Sequence, residues 1–394
     1  MNTPAASREL KYLRALYFLF GVLIMSWLPR FPEVKVNLGL SNGAFGSLMS
    51  LSAVGSLISL FTVGHLVHNF GAKLVLRIAI VSMTGSLIFL TSTHSAVIFF
   101  ISNIVHGAAI SAFHVSITAQ GFNFQDRRKR HVVTQLSGFW SGGALITAIV
   151  SGVLVDRISL SRHISSLAII VLVLMLFIIT AIGENLIKPN TNIATRNLIS
   201  ELFKGFKIDG VISGVMFCAG FLELSVGDWA SIFLKEDIGI KGGLNTLPYI
   251  LFTFAMIAGR ITVHRLFGRY SILNLVKIAS VISGTSFIAG ILAIKIIGVE
   301  NKPLALCILS FSFLLAGLGS SFLVPSIMNA GNTRSDSPSS VLVAQLSLIN
   351  NSASFIMRLV IAWTAQAFSL SIALLIPAIL VLTVPFFAKA FKNV

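Results

Sequence analysis

The chain is 394 residues long, 55% hydrophobic and only 11% charged, far below the roughly 25% charged residues of soluble domains, so a water-soluble globular protein is excluded. Its net charge of +16 suits nucleic acid or a membrane surface. The Lys and Arg, however, gather in alternate segments between apolar runs, which is the positive-inside pattern and leaves no role for nucleic acid. The apolar residues stand in windows of about 20, long enough to cross a hydrocarbon core of about 30 Å. Stretches such as 167–182 and 370–387 are apolar almost throughout rather than alternating, so helices are expected and barrel strands are not.

At the N-terminus Arg8, Lys11 and Arg14 precede an apolar run, as in a signal peptide. No small-residue cleavage site follows, so the run reads as the first span. The spacing predicts spans over 11–29, 42–65, 74–93, 96–118, 134–155 and 164–183. It predicts six more over 209–232, 243–264, 271–294, 303–327, 340–364 and 369–388. An even number of spans puts both termini on one side. Arg127, Arg128, Lys129 and Arg130, together with Arg260, Arg265 and Arg269, lie on that same side, which the charge rule makes cytoplasmic. Cys218 and Cys307 fall inside apolar spans and read as packing residues; no disulfide, metal or cofactor is implied. Gly138, Gly142, Gly143, Gly317 and Gly319 read as sites of close helix packing.

The polar stretch 183–209, with Pro189 and several Asn, falls between spans six and seven. It divides the chain into a first bundle over 1–183, a cytoplasmic linker over 184–208 and a second bundle over 209–394. An internal repeat supports the division. Trp27-x3-Phe31 with Leu38-Gly39-Leu40 returns as Trp229-x3-Phe233 with Ile238-Gly239-Ile240, and His68-Asn69-Phe70-Gly71 is echoed by His264-Arg265-Leu266-Phe267-Gly268. The expected fold is therefore an all-α membrane protein of about twelve transmembrane helices in two pseudo-symmetric six-helix bundles. A parallel repeat of this kind implies a site where the halves meet, opened to either side by rocking.

Gly64-x-Leu66-x-His68-Asn69-x-Gly71-x-Lys73 resembles the signature loop of the major facilitator superfamily, Gly-x-Leu-x-Asp-Arg-x-Gly-Arg-Arg, with His68 and Asn69 in place of its acid and arginine. Trp27-x-Pro29-Arg30-x-Pro32 and Glu223-x4-Asp228-Trp229 resemble the bacterial branch of uncharacterised permeases akin to the fucose permease. Ala119-Gln120 and Ala258-Gly259-Arg260 also fall where that branch places such residues. The resemblance implies a major facilitator fold in the bacterial inner membrane. It makes Gly64, His68, Gly71, Lys73, His264, Arg265 and Gly268 a conformational loop and its repeat. The chain departs from the branch at His114 and Thr118, where an acid and an asparagine are expected in span four. It departs again in span eleven, which carries Asn350, Asn351 and Arg358 instead of glycines.

Ionisable groups inside spans are costly and usually face a cavity or a partner. Glu223 and Asp228 both lie on span seven, and an offset of five residues turns the helix by about 140° beyond a full turn, so they do not share a face. A carboxyl in low dielectric can load and release a proton near neutral pH, which makes Glu223 the first candidate for proton coupling and Asp228 the second. The alternative for Glu223 is a fixed pair with a cation. Ser347, Asn351, Ser354 and Arg358 form one polar stripe on span eleven. Arg358 either holds an anionic group of a substrate or neutralises one of the two acids. On span four, Asn103, Gly107, His114 and Thr118 form a second stripe and a further candidate binding surface. Trp27 and Trp229 occupy matching repeat positions, as interfacial aromatics or as sugar-stacking rings. Arg30, near the outer end of span one, is an interface anchor, a gate pair or a substrate contact.

No zinc-protease helix, nucleophile with base or nucleotide-binding loop is present in the sequence, so an enzyme or an ATP-driven pump is not expected. The expected protein is a secondary transporter of a small polar or amphipathic solute, driven by protons and working by alternating access as a monomer in the lipid bilayer. Proton-antiport export of a drug, metabolite or siderophore-like compound is the alternative.

Overall fold

The computed structural model describes residues 4–128, 132–189, 209–262, 270–334 and 339–391, and the regular structure among them is entirely helical. Ten stretches are long and apolar enough to cross a membrane. One of them, Asn42–Ser92, contains two spans, and Ser339–Ala367 is a further helix of 29 residues. The chain is thus a multi-pass membrane protein of about twelve spans.

By contacts it divides into two compact units, Met1–Leu40 with Leu48–Lys204, and Ser41–Ser47 with Gly205–Val394. In the first, span one (Pro4–Met25) packs against span five (Val133–Leu154) and span six (Leu160–Ile182). The continuous element of spans two and three (Ser52–Ser92) packs against span four (Ala96–Arg128) and span six. In the second unit, span seven (Gly210–Glu236) packs against span eleven (Ser339–Ala367) and span twelve (Leu375–Thr383). Span ten (Lys302–Ser320) packs against span eight (Leu247–Thr262) and span nine (Ile272–Ile297), and nine against twelve. Adding six to each span number of the first unit generates these pairings of the second.

The repeat extends to single residues. A Cβ at Gly107 would collide with the Ser52 carbonyl, and one at Gly317 with the Phe252 carbonyl, so the same bare backbone contact joins spans four and two in one unit and ten and eight in the other. Gly21 and Gly143 make a reciprocal contact of this kind between spans one and five. Gly319 likewise abuts the Ala279 carbonyl, whereas a Cβ at Gly138 or Gly142 would meet nothing within 4 Å, so these two glycines are not packing sites. Gly39 and Gly239, at matching places in the repeat, both take positive φ, 61° and 74°, which favours residues without a Cβ.

Two helices differ from the sequence expectation. Spans two and three were expected to be separated by a loop over 66–73, but the chain stays helical on both sides of Gly71, whose φ of 77° makes the turn alone. The Ala72 amide then donates to the Ile187 carbonyl at 2.9 Å, which brings the segment after span six against this turn. Span ten was expected to be continuous but breaks after Ser320 and resumes as Leu323–Arg334. A smaller break at Leu51 separates Asn42–Ser50 from Ser52–Ser92. Carbonyls freed at such breaks need donors, because hydrocarbon offers none. Asn103 Nδ2 donates to the Leu48 and Met49 carbonyls at 2.7 and 3.0 Å, and Arg260 Nε donates to the Ser321 carbonyl at 2.9 Å.

Candidate functional site

Span seven is the polar axis of the second unit. Asp209 caps it, its carboxylate accepting from the Val211 and Ile212 amides, and this fixes the start from which its acids are placed. Glu223 stands midway along it and Asp228 about 7.5 Å further on by the helix rise. Each acid meets an arginine from a different neighbour. Glu223 pairs with Arg260 of span eight through one contact of 3.3 Å. Asp228 pairs with Arg358 of span eleven at 2.8 Å, with a second, longer contact of 3.5 Å. Tyr249 of span eight is buried.

The two pairs are not equivalent. The side chains of Glu223 and Arg260 keep 33% and 32% of their surface, those of Asp228 and Arg358 only 16% and 22%. Arg260 also divides its guanidinium between Glu223 and the broken end of span ten at Ser321. The Glu223 pair is therefore the longer, more open and more easily exchanged of the two, while the Asp228 pair is closer to a fixed bridge.

On span eleven, Asn351 is half-buried and Ser354 buried with no hydrogen-bond partner for its hydroxyl, one turn before Arg358. The Ser347 side chain lies outside the described residues. Trp229 is buried rather than exposed to lipid; Phe45 meets it edge-on at 6.4 Å, and a Cβ at Gly46 would stand 2.7 Å from its ring. Residues 41–47 thus pack onto span seven inside the second unit.

In the first unit the candidate residues are dispersed. Arg30, 1% exposed, donates to both oxygens of Glu33 at 2.8 and 2.6 Å and to the Ile158 carbonyl at 2.7 Å, and it faces His163 Nδ1 at 3.1 Å. That leaves it tying the end of span one to the start of span six. Trp27 is also buried, edge-on to Phe31 and to His106. Asn103 is occupied by the break at Leu51, although its Oδ1 stays without a donor. His114 is exposed and stacks on Phe20 at 6.1 Å, and Thr118 accepts from the Tyr17 hydroxyl at 3.3 Å. In the stretch expected to be a conformational loop, Gly71 makes the turn, Gly64 and Lys73 are exposed, and His68 is half-buried. Its repeat, His264, Arg265 and Gly268, lies outside the described residues.

Sequence reasoning placed Arg260 among the basic residues of the cytoplasmic side and so missed the partner of Glu223. It also missed His106, whose Nδ1 bonds Ser86 Oγ and the Met83 carbonyl, and it had Gln120 only as part of the family resemblance, with no role. Gln120 is fully buried, and its amide clasps residues 185–187 by donating to the Asn185 carbonyl and accepting from the Ile187 amide. A signal existed for each, a polar side chain inside an apolar span, but nothing in one sequence says which neighbour it meets.

Residues 14–360 match the family model described as Major Facilitator Superfamily. An uncharacterised MFS-type transporter of Yersinia pestis is 25% identical over 390 residues, covering 98% of this chain and 96% of that protein. The membrane protein MosC of Rhizobium meliloti is 23% identical over 361 residues, 91% of this chain and 84% of its own. Among solved structures, a variant of the nucleoside transporter NupG aligns with a TM-score of 0.77 at 16% identity, over 98% of this chain and 100% of that one. A D-xylose-proton symporter aligns at 0.73 and 15%, over 98% and 97%. These structural likenesses show the fold.

Proposed function

The chain belongs to the major facilitator superfamily and is a secondary transporter rather than an enzyme, and from that premise we propose that it couples solute movement to protons through Glu223. The observation that carries this reading is the single 3.3 Å contact that Glu223, midway along span seven, makes with Arg260. Protonating the carboxyl removes its charge and frees Arg260, which also holds the broken end of span ten through Ser321. A proton taken up at Glu223 is thereby linked to the geometry of span ten, and alternating access needs a linkage of that kind. Asp228 and Arg358, with the unpartnered Ser354 beside them, form the polar surface that a small polar or amphipathic solute would meet.

In this reading the protein works as a monomer in a bacterial inner membrane, as the family resemblance implies, with both termini on the cytoplasmic side that the charge pattern favours and the bundles over 1–183 and 209–394 joined by the linker 184–208. Import by symport and export by antiport differ in the direction of the proton.

The test begins with a thermal-shift screen of the purified protein against sugars, nucleosides, organic acids and amphipathic drugs at mildly acidic and mildly alkaline pH. A ligand at about 100 times its Kd stabilises by about 2.7 kcal/mol. The hit is then carried into proteoliposomes with a proton gradient of either sign. Glu223→Gln is expected to abolish gradient-driven accumulation and to keep exchange of labelled for unlabelled solute. Continued accumulation by that variant would overturn the role of Glu223, and the sign of the effective gradient separates import from export.

A further inference from the structure

Spans one, five and six enclose a groove of about 570 Å³ on the outer surface of the first unit, open along its length. At the end where span one begins, its rim carries Lys11 and Arg14. Below the rim its walls are Phe18, Phe139, Leu174 and Ile178. Seven residues separate Lys11 from Phe18, about 10 Å along the helix axis, so the groove runs from a cationic mouth to an apolar floor.

Among the described residues the two charges at the mouth have no acid to answer them. Arg30, Arg127, Arg260 and Arg358 each pair with a carboxylate. Among the described residues Arg14 has only the Gln135 amide oxygen, at 2.9 Å, and the face of Phe139, 5.5 Å away, while its Nε has no acceptor. Lys11 is exposed and makes no hydrogen bond among the described residues. A positive-inside bias explains why these residues are basic. It does not explain why Arg14 stands over an aromatic ring, 5.5 Å from its centre, at the head of a three-helix crevice. A second groove of about 500 Å³, between spans two, three and four, has no charged residue in its lining.

We propose that the groove between spans one, five and six is a binding site for an anionic phospholipid of the surrounding bilayer. Its phosphate and headgroup lie against Lys11 and Arg14, and one acyl chain follows Phe18 and Leu174. Arg14, held by Gln135 and Phe139, presents its guanidinium already oriented, and Lys11 adds a mobile second charge. Each basic residue near a membrane surface contributes about a fivefold preference for anionic lipid, so the pair predicts about a 25-fold preference.

The experiment uses the full chain in detergent, with phosphatidylglycerol and phosphatidylcholine of identical acyl chains competing for the protein in native mass spectrometry. Wild type is expected to retain phosphatidylglycerol preferentially, and Lys11→Gln with Arg14→Gln to lose that preference. Leu174→Trp, which fills the groove and leaves the charges, is expected to reduce retention of both lipids. A matched charge loss at the opposite end, Arg157→Gln with Lys295→Gln, is expected to change neither. Equal retention of the two lipids by wild type overturns the proposal, as does an unchanged preference in the Lys11 and Arg14 double variant. If that double variant does not fold, Lys11→Gln alone, at an exposed position, carries the same comparison.

Discussion

Arg260 and Ser321 meet where span ten breaks, the guanidinium Nε donating to the main-chain oxygen at 2.9 Å. A helix interrupted inside a membrane must find donors for its freed carbonyls. Here the donor is the same side chain that neutralises Glu223.

Replacing Arg260 by Met removes both contacts while keeping much of the side-chain volume. It leaves a carbonyl and a carboxylate without partners, a loss of about 1–3 kcal/mol for each unsatisfied group. Thermal unfolding in detergent should show a lowered midpoint. Adding Glu223→Gln to this variant should recover part of it, since a neutral amide no longer needs a cation. No recovery would separate Glu223 from the stability of the break.

The Asp228–Arg358 pair should behave as a bridge. Asp228→Asn and Arg358→Gln each strand one partly buried charge, and breaking a buried pair costs up to about 3–5 kcal/mol. With 16% and 22% of the side-chain surface still exposed, the smaller figure is the better guide. The double variant, which strands nothing, should be more stable than either single one. A double-mutant cycle of unfolding midpoints measures this directly.

Asn103 supports the break at Leu51 from a neighbouring span. Asn103→Leu should cost about 1 kcal/mol for each hydrogen bond removed, because the Leu48 and Met49 carbonyls keep the Leu51 amide at 3.3 Å and the Ser52 hydroxyl at 3.0 Å as donors. Asn103→Gln, whose amide is displaced by one methylene, should cost less. Equal losses in the two variants would mean that volume, rather than the hydrogen bonds, governs the position.

At Gly71 the backbone is left-handed, and a Cβ would stand 2.9 Å from the Pro189 ring. Gly71→Val combines a backbone penalty of about 1–2 kcal/mol with that collision. Proteolysis of the segment after span six should accelerate in the variant, because the Ala72–Ile187 hydrogen bond holds that segment to the turn. An unchanged cleavage rate would show that the segment is held by Gln120 alone.

The spans, their number and the six-helix repeat were legible because apolar windows and matched glycines are local patterns, and Gly39 and Gly239 do occupy equivalent left-handed positions. That Glu223 and Asp228 meet different neighbours was legible too, since a five-residue offset fixes their angular separation. The partners were not. Arg260 sits near the end of its span, where a snorkelling lysine or arginine is commonplace, and only the packing of spans seven and eight turns it toward Glu223. Trp27 and Trp229 mislead for a similar reason. Their place near span ends suits a lipid interface, but Phe31 with His106 and residues 41–47 enclose them. The break in span ten does carry a local signal, since Pro325 has no N–H to give the carbonyl four residues back, which is that of Ser321; the break at Leu51 has no proline near it and is not announced.

The turn at Gly71 also bears on how the protein can be tagged. Loops between spans are the usual sites for inserting epitopes or reporter domains, since exposed chain tolerates added length. Here two helices are joined by a single non-helical residue whose neighbours are bonded and packed. There is no slack for an insert. A reporter placed between spans two and three would measure the disruption of the first bundle rather than the side of the membrane on which that connection lies.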